Sequence, residues 1–295
     1  MLQTILTSIA VLLRITVNPL GNVFQKQLIN SGNNPLIINF LTYFFLSIPC
    51  LFFVGKIDWR ALPAEFWLYG TLVGILGALG NGFLVKALEK GNLSVLGPIN
   101  SYKSLIGIVV GIFLLNEIPN LWGLLGVALI VFGSYFILDT TEDQFSWKLL
   151  KRKEIQFRIL AMVFTAVEAV FAKKIIVLAS PMLACISWCW FGTLFSFLFL
   201  NAYGINAKTE LAKLRLSDIA KALALVFCAG TMLLTTTYTF AHMPVGYALS
   251  LFQLSTIGSV LLGHRFFDEQ DIQKKLLGAV IMVVGSVVII LCKNI

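Results

Sequence analysis

The sequence predicts an all-α membrane protein, with ten transmembrane helices arranged as two inverted five-helix repeats. Three observations carry this expectation. Of 295 residues, 58% are hydrophobic and only 12% are charged, and the mean hydropathy is +0.90. The apolar residues fall in long runs separated by short polar connections. Near the end of each half the chain repeats itself, as LLGVALIVFGS at 124–134 and LLGAVIMVVGS at 276–286.

Composition excludes a soluble domain, which carries roughly 25% charged residues to cover its surface. The net charge of +8 does not point to nucleic acid. The basic residues sit in loops between apolar runs, where they set membrane orientation, and form no stripe interleaved with aromatics. Cys50, Cys185, Cys189, Cys228 and Cys292 lie in apolar runs without a CxxC pair. They read as small buried residues rather than a disulfide frame or metal site.

A span needs about 20 apolar residues to cross the hydrocarbon layer. Ten stretches qualify, at 4–28, 36–54, 66–86, 95–115, 121–138, 159–178, 182–200, 220–240, 245–266 and 276–292. They are continuous runs rather than alternating ten-residue strands, so helices are expected and a barrel is not. The first run lacks a basic leader and a small-residue cleavage site, and reads as a retained span rather than a signal peptide. The two longest connections, 139–156 and 201–218, are too short to build a core of their own.

Residues 105–138 slide onto 257–290 without a gap, pairing Gly111 with Gly263, Glu117 with Glu269, Gly126 with Gly278 and Gly133 with Gly285. A weaker echo joins the half starts, VFQKQLINSGNNP at 23–35 and VFAKKIIVLASP at 170–181. The expected units are 1–140 and 157–295, joined by a connecting loop at 141–156. Five spans per unit is an odd number, so the second copy must enter the membrane upside down. Inverted repeats of this kind recur in secondary transporters, with the substrate site near the midplane between the halves. Duplication for stability alone is the other reading.

Each half closes with a Pro- or Gly-containing entry, an apolar run ending in Glu, a short turn and a Gly-punctuated last span. These segments are GPINSYKSLIGIVVGIFLLNEIPNLWGLLGVALIVFGSYFIL and PVGYALSLFQLSTIGSVLLGHRFFDEQDIQKKLLGAVIMVVGSVVII. With ten spans in two such units, the whole chain resembles the drug/metabolite transporter superfamily, in particular its EamA-type members. Where the family carries Trp-Gly in span one, Asn18-Pro19 stands here. The resemblance implies transport of a small organic solute such as an amino acid or related metabolite, often as export. It also implies a central cavity lined by spans one, three, four, six, eight and nine, with five and ten packed outside.

Charges at membrane depth are costly and mark function. Arg14, Lys103 and Glu168 lie well inside spans one, four and six. Arg14 as a fork and Lys103 as a point charge suit an anionic group on a substrate. Glu168 suits a substrate amine or a coupling proton. The competing reading ties Arg14 to Glu168 structurally and lets Lys103 snorkel. Asn18, Asn22, Asn81, Asn100, Tyr102, Tyr238 and Gln253 are further candidate substrate-binding residues, each equally able to bond a neighbouring helix. Asn18, Pro19 and Asn22 are expected to interrupt span one. Lys26 and Lys173 read as snorkelling residues near span ends, and Trp188 and Trp190 as interfacial anchors or packing. Glu117 and Glu269 read as acceptors for amides at the start of the next helix. His242 and His264 have no partner at metal spacing.

Paired aspartates, HExxH, a P-loop and GxSxG are all missing from the sequence. Neither an enzyme nor ATP-driven transport is expected, and no cofactor. A channel and a non-transporting scaffold are the rival membrane readings. The expected partners are a small-molecule substrate, the lipid bilayer and a coupling proton or ion, in a monomer or homodimer with no nucleic acid. Of the 22 Lys and Arg, setting aside Arg14 and Lys103, only Lys56, Arg60, Lys173, Lys174 and Lys293 fall on the side of the termini. Positive-inside bias therefore puts both termini outside the cytoplasm, although relatives are often drawn the other way. The expected location is the plasma membrane, the inner membrane of a bacterium, crossed many times.

Overall fold

A computed structural model describes every residue except Met1, Glu117, Pro119, 139–146, Leu214, 270–271 and 292–295. The described residues form helices and no strands. In chain order these are α1 (Leu2–Asn30), α2 (Pro35–Cys50), α3 (Ala64–Lys90), α4 (Leu93–Ile99), α5 (Lys103–Leu115), α6 (Leu121–Leu138) and α7 (Trp147–Lys151). They continue with α8 (Lys153–Leu178), α9 (Pro181–Ala202), α10 (Ala207–Leu211), α11 (Leu216–His242), α12 (Val245–Phe252), α13 (Ser255–Phe267) and α14 (Ile272–Leu291). Among the described residues, six helical segments are long and apolar enough to cross a membrane: Leu2–Asn30, Pro35–Lys56, Ala64–Lys90, Pro181–Ala202, Leu216–His242 and Val245–Phe267.

The pattern of exposure is that of a protein dissolved in lipid. Phe113 is 80% exposed and Phe227 73%, whereas Lys26 is 9% exposed and Arg158 6%. Apolar side chains face outward and the buried cations face other helices, where backbone groups satisfy them.

Local sequence sets several helix starts. Asn34 accepts from the Leu36 amide at 2.9 Å and Ser180 from the Leu183 amide at 3.1 Å. Pro35 and Pro181 follow them at the first helical position, where a missing N–H costs nothing. These are the prolines that end the echo between the half starts. Span one is not interrupted, contrary to the sequence expectation, because α1 runs unbroken through Pro19. The proline ring faces Gly258, where an added methyl would come within 2.7 Å of it.

Spans four and nine, read as continuous, are each broken. The first splits into α4 and α5 around a 3-10 turn at Asn100–Tyr102, the second into α12 and α13 at Gln253–Leu254. The duplication governs these breaks in detail. Shifted by the offset of the repeat, the start of α4 falls on the start of α12, Lys103 on Ser255 and Leu115 on Phe267. Asn116 and Asp268, which follow, are the two described non-glycine residues with positive φ, at 54° and 51°.

The halves pack helix against helix in antiparallel pairs. On α1 and α11, Arg14 meets Thr236 and Gly21 meets Cys228, so numbers rise on one helix as they fall on the other. Gly77 near Glu168 and Gly80 near Thr165 show the same for α3 and α8. Phe40 with Phe197 and Tyr43 with Gly192 join α2 and α9. The broken spans pair as α4 with α13 through Gly97 and Ser259, and α5 with α12 through Gly107 and Leu249. Each pairing is mapped onto itself or another when the halves are exchanged.

The last pair, α6 with α14, is made by the glycines that revealed the repeat. A methyl on Gly133 would lie 2.5 Å from the Gly278 carbonyl oxygen, and one on Gly285 would lie 2.5 Å from that of Gly126. Close backbone approach supplies packing energy where lipid removes the hydrophobic drive between helices. Gly133→Ala or Gly285→Ala must push two backbones apart, at a cost of about 1–3 kcal/mol for overpacking. Thermal unfolding in detergent is expected to shift downward for each. Gly55→Ala, with nothing within 4 Å, should leave it unchanged.

Candidate functional site

A cavity of about 150 Å³ lies between the two halves. On α1 its wall is Arg14, Asn18, Asn22 and Gln25, spaced at helical intervals on one face. From α3 comes Asn81, from the start of α5 comes Lys103, and from α8 come Thr165 and Glu168. Met232, Thr236, Thr237 and Phe240 of α11 and Leu249 and Phe252 of α12 close another side. Among the described residues, α6 and α14 contribute none to the lining. Spans two and seven, which the resemblance left out of the wall, do contribute, with Asn39, Thr42 and Tyr43 from α2 and Ala184 and Trp188 from α9.

Arg14 is fixed on two sides and open on a third. Its Nε donates to Thr236 Oγ1 at 2.9 Å, and the guanidinium stands over the Phe252 ring at 4.9 Å. Its Nη1 is buried without a hydrogen-bond partner in the protein. The structural tie to Glu168 is not formed, since no ion pair within 4.0 Å joins Glu168 to Arg14 or Lys103. A donor left unsatisfied at depth costs about 1–3 kcal/mol, which an anionic ligand can recover.

Glu168 is held in a polar corner. A methyl on Gly77 would stand 3.1 Å from Tyr43 Oη, 3.4 Å from Trp188 Nε1 and 3.6 Å from Glu168 Cδ, so the three groups converge on that glycine. Asn81 Nδ2 donates to Tyr43 Oη at 2.6 Å and to the Gly77 carbonyl at 3.0 Å. The Tyr43 and Trp188 rings pack with centroids 4.3 Å apart. Trp188 is thus part of the wall rather than an interfacial anchor. Lys103 opens α5, and the positive end of that half-helix adds to its own charge.

Asn100, Tyr102, Tyr238 and Gln253 do not line the cavity. Asn100 Nδ2 donates to Gln253 Oε1 at 3.2 Å, which ties one helix break to the other. Tyr102 packs into an apolar cluster, and Tyr238 lies against the His242 ring at 4.2 Å. Asn18 has a second role, because its Nδ2 donates to Ser255 Oγ at 3.0 Å where α13 begins. Gln25, Asn39, Thr42, Tyr43 and Thr165 are lining residues that sequence reasoning missed. Uncharged polar residues inside apolar runs gave no sign of which neighbour they would face.

Buried and half-buried cations outside the cavity lining serve helix ends. Lys26 does not snorkel: its Nζ donates to the Gly91 carbonyl at 3.0 Å and lies 3.6 Å from Glu269 Oε1. Its counterpart Lys173 donates to the Phe240 and Met243 carbonyls. Each lysine thus satisfies carbonyls at the end of the third long helix of a half. Glu269 Oε1 accepts from the Leu93 amide at 2.7 Å, so it serves the start of α4 in the other half. Glu117 lies outside the described residues. Arg158, read as a loop cation, is buried and donates from Nε to the Leu96 carbonyl at 2.7 Å, where the break leaves that oxygen free.

The sequence profile of the EamA-like transporter family matches residues 8–139 and again 152–291. No curated protein matches the chain. A crystal structure of another protein superposes with a TM-score of 0.71 over 97% of each chain, at 15% identity, which is likeness of fold alone. With the family pattern present twice over most of its length, this multi-pass membrane chain belongs to the EamA-like transporter family.

Proposed function

We propose that the protein is a secondary transporter that moves a small polar organic solute, an amino acid or related metabolite, by alternating access. The observation that carries this reading is the buried Arg14 donor without a partner in the protein, facing a cavity that also holds Lys103 and Glu168. A carboxylate of the solute binds the Arg14 fork, with Lys103 and the start of α5 adding positive potential. Glu168 takes the solute's amine or the coupling proton. Asn18, Asn22 and Asn81 supply neutral hydrogen bonds to the same solute.

In this reading the helices make ten spans, in units 1–140 and 157–295 joined by 141–156, with opposite orientation in the membrane. The antiparallel pairs and the two equivalent breaks support it. Rocking one unit against the other alternates access. Both termini lie outside the cytoplasm of a plasma membrane, the inner membrane in a bacterium, and export is the physiological direction.

Uptake into sealed liposomes tests the proposal. Saturable flux that an internal pool of the same amino acid accelerates is expected. Non-saturating flux indicates a channel, and no flux across a panel of amino acids, nucleosides, sugars and amines indicates a scaffold. Either result overturns the proposal.

A further inference from the structure

A second cavity, of about 160 Å³, shares no lining residue with the first and opens among Trp59, Trp67, Trp190, Phe191 and Leu194, with Ser187 in its wall. Trp59 follows the 3-10 helix Leu51–Lys56, Trp67 lies in the first turn of α3, and Ser187 and Trp190 belong to α9. The indoles of Trp59 and Trp190 stack with centroids 5.5 Å apart, and that of Trp67 lies 6.2 Å from Trp59. Trp59 Nε1 donates to the Val54 carbonyl at 3.0 Å and Trp190 Nε1 to that of Ser47 at 3.4 Å, so the indole donors are satisfied.

Ser187 is the exception. It is 2% exposed, and its Oγ has no hydrogen-bond partner in the protein. Nearby hydroxyls in apolar helices bond back to their own backbone, as Thr193 does to Cys189 and Thr42 to Ile38. A buried hydroxyl without such a bond costs about 1–3 kcal/mol. Ser187 belongs to the cavity wall, so an acceptor placed in the cavity is the group that can satisfy it.

The surroundings identify the occupant. Leu51 is 61% exposed and Phe52 80%, so the chain just before the cavity faces lipid. The chain beyond them exposes Lys56, Asp58 and Arg60, and the first turn of α3 exposes Glu65. Clustered tryptophans between an apolar and a charged zone mark the level of lipid headgroups and ester carbonyls. The cavity wall also reaches lipid directly, since Trp67 is 44% and Leu194 50% exposed.

We propose that this cavity is a site for a zwitterionic phospholipid of the phosphatidylethanolamine type. An acyl chain lies against Trp67, Phe191 and Leu194, and an ester carbonyl accepts from Ser187. The phosphate meets Lys56 and Arg60, and the ammonium meets Asp58 and Glu65. Two charges of each sign favour a zwitterion over an anionic lipid.

The delipidated protein, supplied separately with phosphatidylethanolamine, phosphatidylglycerol and diacylglycerol, is measured by native mass spectrometry for retained lipid. Phosphatidylethanolamine is expected to be retained at least threefold over either of the others. Ser187→Ala, which removes no protein hydrogen bond, should lower that retention at least threefold. The double variant Lys56→Gln/Arg60→Gln should abolish the preference over diacylglycerol. A photoreactive acyl chain on phosphatidylethanolamine should label segments 57–67 and 186–194. Equal retention of the three lipids, an unaltered Ser187→Ala variant, or label spread evenly over the outer surface overturns the proposal. So does cross-linking of Trp67 to a second copy of the chain, which would make the cavity a contact between protomers.

Discussion

Arg14→Ala is expected to remove between half and most of the stabilisation that a true solute confers on the purified protein. A ligand at 100 times its Kd raises stability by about 2.7 kcal/mol. Losing a charge-assisted hydrogen bond of about 1.5–3 kcal/mol weakens binding by roughly 10- to 100-fold. At the upper end the same solute concentration merely equals the new Kd, and the stabilisation falls to about 0.4 kcal/mol. A thermal-shift screen with amino acids, nucleosides, sugars and amines reads this directly. Arg14→Lys keeps the charge but loses the fork and the bond to Thr236, so it should recover only part of the response. Glu168→Gln separates the two roles of that residue. If Glu168 binds the amine, the shift disappears. If it carries the coupling proton, the shift persists and transport no longer responds to a pH gradient. Full ligand response and normal gradient-driven transport in both Arg14→Ala and Glu168→Gln would sink the assignment of the site.

The second large effect is expected at Lys26 and Glu269, which join α1 to the turn before α14. The pair is nearly dry, with side chains 11% and 5% exposed. Removing one partner of a buried ion pair costs about 3–5 kcal/mol, because the other charge stays buried and loses its counter-charge. Glu269→Gln should therefore lower the unfolding temperature in detergent by on the order of 10 °C. It also weakens the bond to the Leu93 amide, where a carboxylate at a helix start is worth more than a neutral amide. Lys26→Met should be comparably damaging. The double variant should be less damaging than the two single losses added together, which a double-mutant cycle resolves. Lys213 and Glu210 supply the contrast: they also pair, but the Lys213 side chain is 60% exposed. Lys213→Ala is expected to stay within about 1 kcal/mol of the parent. Equal effects at the two pairs would mean that Lys26 and Glu269 are not the buried tie described.

Much of the candidate site was legible because charge in an apolar run is a strong local signal. Arg14, Lys103 and Glu168 stand out in the sequence, and all three line one cavity. Lys26 and Arg158 show the limit of that signal. Each sits where a span end or loop was expected, yet each is buried on a carbonyl more than 60 residues away in sequence. A cation near the edge of an apolar run reads the same whether it reaches water or a helix end. Tyr43 and Trp188 show a different limit, because aromatics abound in lipid-facing and core positions alike. Only the packing of α2 against α9 brings these two to Glu168.

Sequence alone determined the membrane class, the helical character of the runs, the duplication and the helix starts at Pro35 and Pro181. Each of these rests on composition, periodicity or contacts within a few residues. Tertiary structure alone decided that spans four and nine break, that span one does not, and which polar faces meet. A break survives only where remote groups satisfy the backbone it frees, as Arg158 does for Leu96, and where the two breaks are tied through Asn100 and Gln253. A helix in lipid has polar residues whose partners lie on other helices. Which of them lines a cavity is therefore a property of the assembled bundle and not of any one segment.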